Sequence, residues 1–243
     1  MSYDWDFGFL VSRVKNGDET YLDWLLQGLF WTLCVALSAW LIALAIGFVV
    51  GSARTLRSRW VASLAEAWVE LLRNVPLLVQ LLLGYFVVPE LLPHELGLWV
   101  KQDMPPALTA IICLGLFTSA RIAEQTRAGI EGLPAGQRQA ALALGLTTTA
   151  CYVIVLLPQA LRRIMPTLTS EFMNIIKNSS VAFAIGVLEL TFQARQMQED
   201  SEHGLETYLV VTLLYVVCAL AANRGMAWIE RRTRIPGYLG SAR

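Results

Sequence analysis

Charged residues are scarce in this 243-residue sequence, and lysine is scarcer still. Only 16% of the residues are charged, against about 25% in an average soluble domain. The three lysines are Lys15, Lys101 and Lys177, and none of them follows a glycine. A phosphate-binding loop of the Walker type needs a Gly-Lys pair, because its lysine reaches the phosphates from a glycine-rich turn. The sequence therefore excludes a nucleotide site of that type.

Signatures of metal binding and catalysis are equally sparse. The two histidines, His94 and His203, lie far apart, and none of the four cysteines belongs to a C-x-x-C pair. Structural zinc sites need clustered cysteine and histidine ligands. The G-x-S-x-G and H-E-x-x-H motifs are also missing, so no nucleophile or metal-bound base stands out. We expect neither a metal site nor a catalytic centre, and no enzymatic activity in this chain.

Long apolar stretches are what the sequence has in abundance. Hydrophobic residues make up 56% of it, and a helix needs about 20 residues of this kind to cross a bilayer. The third stretch, residues 107–120, reaches that length only if its helix continues through Arg121 and Glu124. The pattern predicts an all-α polytopic membrane protein, one transmembrane domain over residues 1–243 with its helical core at 24–230. Five membrane spans are expected, at residues 25–51, 61–88, 107–120, 164–190 and 208–229.

Positive charge is distributed unequally along the chain, and this predicts the orientation. Arginine and lysine near a span resist translocation, whereas acidic residues have little effect. Acidic residues dominate the N-terminal segment, residues 1–23, which we therefore expect outside, and the tail, residues 231–243, is expected in the cytoplasm. The formal net charge of zero gives no reason to expect a nucleic-acid partner. The arginines that mark the inner side are Arg54, Arg57, Arg59, Arg127, Arg138, Arg162, Arg163, Arg231, Arg232 and Arg234.

A polar segment between the third and fourth apolar stretches carries the most specific motif. It reads Gln139-Ala140-Ala141, then Gly145 after three further residues, then Val155-Leu156-Leu157-Pro158. This spacing resembles the cytoplasmic EAA loop of ATP-binding-cassette (ABC) importer permeases and places that loop at residues 136–158. The family usually has glutamate where this chain has Gln139. Contact at this position would then rely on hydrogen bonding rather than on charge.

Motifs in the apolar stretches extend the resemblance over nearly the whole chain. Four segments, in order, are similar to the permeases of polar amino acid importers. The run Phe117-Thr118-Ser119-Ala120-Arg121 further resembles the glutamate/aspartate permeases within that family. The resemblance implies the transmembrane fold of a type I ABC importer. The four segments are Gly47-x3-Gly51-x2-Arg54, Glu70-Leu71-Leu72-Arg73-Asn74-Val75-Pro76, Ala120-Arg121-Ile122-Ala123-Glu124 and Lys177-Asn178-Ser179-Ser180.

The same resemblance implies a coupling helix in the loop, which would lie in a cleft of an ATPase subunit. Gly145 is placed to end a helix over residues 137–145, because glycine tolerates a positive φ. Small residues would allow this helix to lie deep in a partner's groove. An amphipathic connector on the inner leaflet is the alternative interpretation. The residues assigned to ATPase docking are Gln137, Gln139, Ala140, Ala141, Leu144 and Gly145.

Charged residues inside the apolar stretches are the next clue to function. An ionisable side chain at the centre of a membrane helix costs about 2.5 to 3.5 kcal/mol on insertion scales, so it normally faces protein or a water-filled path. Glu70 and Arg73 are three residues apart, as are Arg121 and Glu124, and this spacing brings two side chains together on one helix face. We expect both to be structural charge pairs. For Arg121, contact with substrate is the competing interpretation.

The fourth apolar stretch carries a polar stripe. Glu171, Asn174 and Asn178 follow helical spacing, with Lys177 beside them, and together they offer acceptors and donors to the ammonium and carboxylate of an amino acid. A polar seam between two permease subunits is the alternative. A second substrate carboxylate would need a further cation, and a guanidinium matches a carboxylate with its fork of donors. The predicted substrate path is Arg121, Glu171, Asn174, Lys177 and Asn178.

The resemblance implies the permease subunit of an ATP-driven, binding-protein-dependent importer of amino acids, with glutamate and aspartate as expected substrates. A general polar amino acid ABC permease and an ion-coupled secondary amino acid transporter are the alternatives. The expected partners are an ABC ATPase dimer, an external (periplasmic) substrate-binding protein and a second permease, with a paralogue favoured over an identical copy. The ATPase would bind the ATP, and this chain needs no cofactor. Such an importer lies in the bacterial inner membrane.

Overall fold

The computed structural model describes residues 4–15 and 17–233, which form helices and turns with no strand among them. Parts of the predicted outer segment and most of the predicted tail, including Arg234, lie outside the described residues. The α-helices are α1 Tyr21–Ala53, α2 Arg59–Asn74, α3 Leu77–Leu82, α4 Val88–Leu91, α5 His94–Gln102, α6 Pro106–Glu131, α7 Ala135–Ala143, α8 Thr148–Ala150, α9 Leu157–Asn178, α10 Leu190–Ser201 and α11 Gly204–Thr233.

Three helices, α1, α6 and α11, are long and apolar enough to cross a membrane on their own. Two further helix pairs, each interrupted by a bend, are long and apolar enough to cross when the two parts are taken together: α2 with Leu77–Leu91, and Thr148–Ile185 with α10. The prediction of an all-α membrane protein with about five spans is confirmed when each interrupted pair counts as one span. Helix α6 continues through Arg121 and Glu124 to Glu131, as the length of the third stretch requires.

The interruptions have local causes. Val75 has extended backbone angles, φ −100° and ψ 128°, because a residue before proline avoids the helical region and Pro76 has no N–H to donate. Gly186, at φ +83°, ends the 3-10 helix Ser179–Ile185 in the left-handed region that glycine adopts without steric cost. Elsewhere the helices continue through π-helical turns, which join α3 to α4 and α8 to α9.

The chain forms two compact units. The first contains residues up to Ala39, Pro76–Leu114 and Asn174–Ala221. The second contains Trp40–Val75, Gly115–Met173 and residues from Ala222 onward. The expectation of one domain over the whole chain stays a prediction.

In the first unit, the start of α10 is held by a buried carboxylate. Glu189 accepts hydrogen bonds from the backbone N–H groups of Thr191 and Phe192, at 3.0 and 2.8 Å, and from the Tyr215 hydroxyl at 2.7 Å. The backbone N–H of Leu190 donates to Thr32 Oγ1 at 3.1 Å. Side chains from α1 and α11 therefore satisfy backbone and carboxylate groups that would be costly to bury alone.

In the second unit, glycines allow α1 to pack directly on α6. A Cβ atom placed on Gly51 would lie 2.5 Å from the Ala123 carbonyl oxygen, and one on Gly47 would lie 2.6 Å from Ile122. Such distances are too short for any side chain, so the two backbones are in van der Waals contact. Small residues serve the same purpose wherever membrane helices pack closely.

We expect Gly51→Ala to destabilise the protein, because its methyl group has no room beside Ala123. Overpacking costs about 1 to 3 kcal/mol, which corresponds to a fall of about 2 to 12 °C in the unfolding midpoint of a chain of this size. The matched control is Gly225→Ala on α11, where a Cβ would meet nothing within 4 Å. Thermal unfolding in detergent measures both variants. Equal midpoints would show that α1 and α6 do not pack in this way.

Candidate functional site

A cavity of about 390 Å³ in the second unit is lined almost entirely by charged and polar side chains. We call it the charged cavity. Helices α2, α6 and α9 supply its walls, and its volume lies in the range of about 300 to 1,000 Å³ that is typical of small-ligand sites. The lining residues are Arg73, Phe117, Arg121, Glu124, Gln125 and Glu171.

Arg121 and Glu171 form a bidentate ion pair in this cavity. Arg121 Nε lies 2.8 Å from Glu171 Oε2, and Nη2 donates to Oε1 at 3.1 Å. The arginine side chain is 42% exposed and the glutamate side chain only 8%. The buried carboxylate therefore fixes the orientation of a guanidinium that remains open to a ligand. Both residues were predicted to lie on the substrate path, and the structure brings these two together.

Gln125 completes this arrangement and was missed by the sequence analysis. Its Nε2 donates to Glu171 Oε1 at 3.2 Å. Its Oε1 is buried and accepts no hydrogen bond from any residue that the structure describes. A buried acceptor without a partner is costly, and a ligand ammonium would satisfy it. The signal in the sequence was its spacing, since Gln125 lies one helical turn after Arg121.

The predicted pair of Arg121 with Glu124 is wrong. Glu124 instead pairs with Arg127, whose Nη2 lies 2.7 Å from Oε1, and with Arg54. Arg73 Nη1 lies 3.7 Å from Glu124 Oε2. Three arginines thus occupy the Glu124 carboxylate, which leaves Arg121 to pair across to α9. We call Glu124 with Arg54, Arg73 and Arg127 the Glu124 cluster.

The predicted pair of Glu70 with Arg73 is also wrong. Within residues 4–15 and 17–233, Glu70 is exposed and makes no ion pair, whereas Arg73 reaches Glu124 on a different helix. The i,i+3 spacing makes a pair on one helix geometrically available, but on an exposed face it contributes little free energy. The Glu124 carboxylate is only 30% exposed, and water screens the attraction between charges less at such a site.

The polar stripe on α9 does not form a single site in either unit. Glu171 belongs to the second unit and lines the charged cavity, whereas Asn174, Lys177 and Asn178 belong to the first. Asn174 and Asn178 are half-buried, and Lys177 is exposed. Substrate contact by these three residues stays a prediction.

The polar loop contains the expected helix. Helix α7 covers Ala135–Ala143, and Gly145 follows it at φ +84°, so the predicted helix end is confirmed. Gln139, Ala140 and Leu144 are exposed, and Leu144 is 84% accessible. Gln137 is half-buried, and Ala141 is buried in the chain's own apolar cluster with Tyr152 and Leu156. The structure therefore removes Ala141 from the surface that was assigned to docking.

Known proteins resemble this chain in sequence and fold. The family model for the binding-protein-dependent transport system inner membrane component matches residues 43–235. The glutamate/aspartate import permease protein GltJ of Escherichia coli is 43% identical over 99% of both chains. The glutamate/aspartate import permease protein GltK of the same species is 31% identical over 95% of this chain and 99% of that protein.

Solved structures of ABC transporters also resemble the chain. A crystal structure of an amino acid ABC transporter with histidines matches with a TM-score of 0.74 and 30% identity, over 87% of this chain and 95% of that chain. The MetNI methionine ABC transporter in an inward-facing conformation matches with a TM-score of 0.72 at 20% identity, over 88% and 98% of the two chains, and shows the fold. The chain belongs to the family of binding-protein-dependent transport system inner membrane components, the permeases of ABC importers.

Proposed function

We propose that this chain is the permease subunit of an ATP-driven importer of acidic amino acids, and that Arg121 binds the side-chain carboxylate of glutamate or aspartate. Both Escherichia coli relatives are named for these two substrates, which supports the substrate class. Family membership gives the ion-coupled secondary transporter no support. A general polar amino acid permease remains the alternative within the family.

The observation that carries the proposal is the state of Arg121. A guanidinium has five N–H donors, and the ion pair with Glu171 uses only Nε and one N–H of Nη2. The remaining donors have no partner among the described residues, while 42% of the side chain is accessible. A substrate carboxylate can therefore bind Arg121 without displacing Glu171. An apolar side chain would leave these donors unused, and an amide oxygen would accept from them without neutralising the guanidinium charge, so the site favours an acidic substrate.

The same cavity offers acceptors to the substrate ammonium. Gln125 Oε1 is buried without a donor from the described residues, and the carboxylate of Glu171 lies beside it, 3.2 Å from Gln125 Nε2. An amino acid with its ammonium at these acceptors and its acidic side chain at Arg121 has two of its three charged groups paired, and its α-carboxylate needs a further donor. Pairing of this kind is required when charges leave water.

The energy for transport would come from a separate ATPase dimer that binds the loop at residues 136–158. A substrate-binding protein on the outer side would deliver the amino acid, and a paralogous second permease would complete the path. The N-terminus of this permease would lie outside and its C-terminus in the cytoplasm. ATP and the loaded binding protein can switch such a permease between two conformations only if each of them favours one conformation over the other.

The direct test is uptake by the purified complex in sealed proteoliposomes. We expect uptake of labelled glutamate to require internal ATP and external binding protein, and to be competed by excess aspartate far better than by excess glutamine. Mass spectrometry of the purified complex identifies the ATPase and the second permease. Equal competition by glutamine would favour the general polar amino acid permease, and a complex that lacks any ATPase would contradict the energy source.

The docking role of α7 predicts a specific loss of the ATPase subunit. Leu144 is the one large apolar side chain among the assigned docking residues and is 84% exposed, and covering an exposed leucine with a partner lowers the free energy of the complex. We expect Leu144→Ser to reduce the amount of ATPase that co-purifies with the permease several-fold. Leu205→Ser, which changes a leucine 58% exposed on α11, is the matched control. Normal ATPase recovery with Leu144→Ser would contradict the docking assignment.

A further inference from the structure

A second cavity in the second unit lies where two membrane helices end. It measures about 440 Å³ and is lined by residues that follow α1, residues at the end of α6 and residues of α7. We call it the basic cavity. Helix α1 ends at Ala53 and α6 at Glu131, and both are membrane-spanning by length and composition. The ends of two spans place this cavity at a membrane surface, at the level of the lipid headgroups.

Arginines dominate the charge of the basic cavity. Arg54, Arg57 and Arg138 all line it, against one carboxylate, Glu131. Arg54 pairs with Glu124 and with Glu66, and Glu131 pairs with Arg127 at 2.9 Å. Arg57 and Arg138 have no carboxylate within ion-pair distance in the described part of the chain. The cavity therefore presents two uncompensated guanidinium groups to an anion.

The position of Arg138 is fixed by the protein itself. Its guanidinium lies over the Tyr152 ring, 5.7 Å from the ring centroid, within the range of a cation–π contact. The Tyr152 hydroxyl donates to the Thr55 carbonyl oxygen at 2.9 Å. Tyr152 thus joins the segment after α1 to α7, and a ligand between Arg57 and Arg138 would find one of its two cations already oriented.

We propose that the basic cavity binds the phosphate headgroup of an anionic phospholipid. Guanidinium groups bind phosphate oxygens through paired, charge-assisted hydrogen bonds, and basic pockets beside membrane helices bind acidic headgroups in this way. Apolar side chains, Leu142 and Leu156 among them, complete the lining and suit the glycerol and upper acyl chain. Free inorganic phosphate has the same charged chemistry but no group for that apolar wall. The site does not depend on which amino acid is transported.

The test measures lipid binding to the intact, delipidated transporter complex. We expect short-chain phosphatidylglycerol to bind, phosphatidylcholine not to bind, and inorganic phosphate at equal concentration not to displace the bound lipid. Arg57→Gln/Arg138→Gln should weaken phosphatidylglycerol binding about tenfold or more, as expected for the loss of contacts between ionised groups. The matched control is Arg13→Gln/Arg195→Gln, which removes two exposed arginines that are paired with acids.

Three outcomes overturn the proposal. Unchanged lipid affinity in Arg57→Gln/Arg138→Gln shows that the cavity does not hold the headgroup. Displacement by inorganic phosphate shows a site for the free ion. Loss of the ATPase subunit with lipid affinity retained shows that the arginines face an acidic surface of that subunit. Arg57→Gln alone changes one exposed loop residue and serves as a second variant if the double variant fails to assemble. We expect it to weaken phosphatidylglycerol binding less than the double variant does. Retained lipid binding without glutamate uptake would contradict only the proposed substrate.

Discussion

Replacing Arg121 by glutamine should lower the apparent kcat/KM of glutamate uptake, with respect to loaded binding protein, by about 10- to 150-fold. This range follows from about 1.5 to 3 kcal/mol for a hydrogen bond between charged groups. The physical reason is that Arg121 carries the donors that Glu171 leaves unused. Arg121→Lys should recover only part of the loss, because an ammonium lacks the planar fork of donors. Proteoliposome uptake at varied concentrations of binding protein measures the effect.

The same substitution leaves Glu171 buried without its cation, so stability must be separated from recognition. Arg121→Gln/Glu171→Gln removes both charges and retains side chains that can hydrogen-bond. We expect this double variant to restore the thermal stability of the complex but not glutamate uptake. Arg195→Gln, which changes an arginine 65% exposed on α10, is the control. Glutamate uptake at the wild-type rate in a stable Arg121→Gln complex would exclude Arg121 from substrate recognition.

Glu124→Ala should destabilise the protein more than any other single exchange in the Glu124 cluster. It leaves Arg54, whose side chain is only 9% exposed, with only the longer contact to the exposed Glu66, at 3.4 Å, beside two further arginines. Removing one partner of a buried ion pair costs about 3 to 5 kcal/mol, and we expect the lower value because Glu124 is 30% exposed. The unfolding midpoint should fall by about 6 to 12 °C, measured in detergent.

Glu131→Ala is the matched control for this prediction. Glu131 also lies on α6 and also pairs with Arg127, but its side chain is 52% exposed, and an exposed ion pair contributes less than about 1 kcal/mol. Glu124→Ala/Arg54→Leu should recover much of the lost stability, since it removes the stranded charge. Equal midpoints for Glu124→Ala and Glu131→Ala would mean that Arg54 is not buried against Glu124.

The sequence predicts well what depends on neighbouring residues. Apolar length predicts the three uninterrupted spans, the extension of α6 through Arg121, and a helix before Gly145, whose φ of +84° suits glycine. The Val75-Pro76 interruption lies inside the second predicted span, yet its cause is also local. Proline excludes the helical conformation from the residue before it.

Charge pairing could not be predicted in this way, because it depends on which helices meet. Glu171 lies 50 positions from Arg121, and Arg54 lies 70 positions from Glu124. Both distant partners outcompete the pairs three residues apart that helical spacing makes available. Ala141 on α7 is a similar case. The loop motif predicts that it docks, but it packs in the apolar cluster with Tyr152 and Leu156 and is buried there.

The hydrogen bonds around Glu189 set an order of events during synthesis. The start of α10 needs Thr32 from the first span and the Tyr215 hydroxyl from the last. Because α11 follows α10 in the chain, Tyr215 is synthesised after Glu189, and the carboxylate first forms without its hydroxyl donor. Until then the carboxylate has only the local N–H groups of Thr191 and Phe192 as donors, and a polar group with fewer partners is costly to bury. We therefore expect the hydrogen bonds that fix the start of α10 to be complete only after α11 has been inserted.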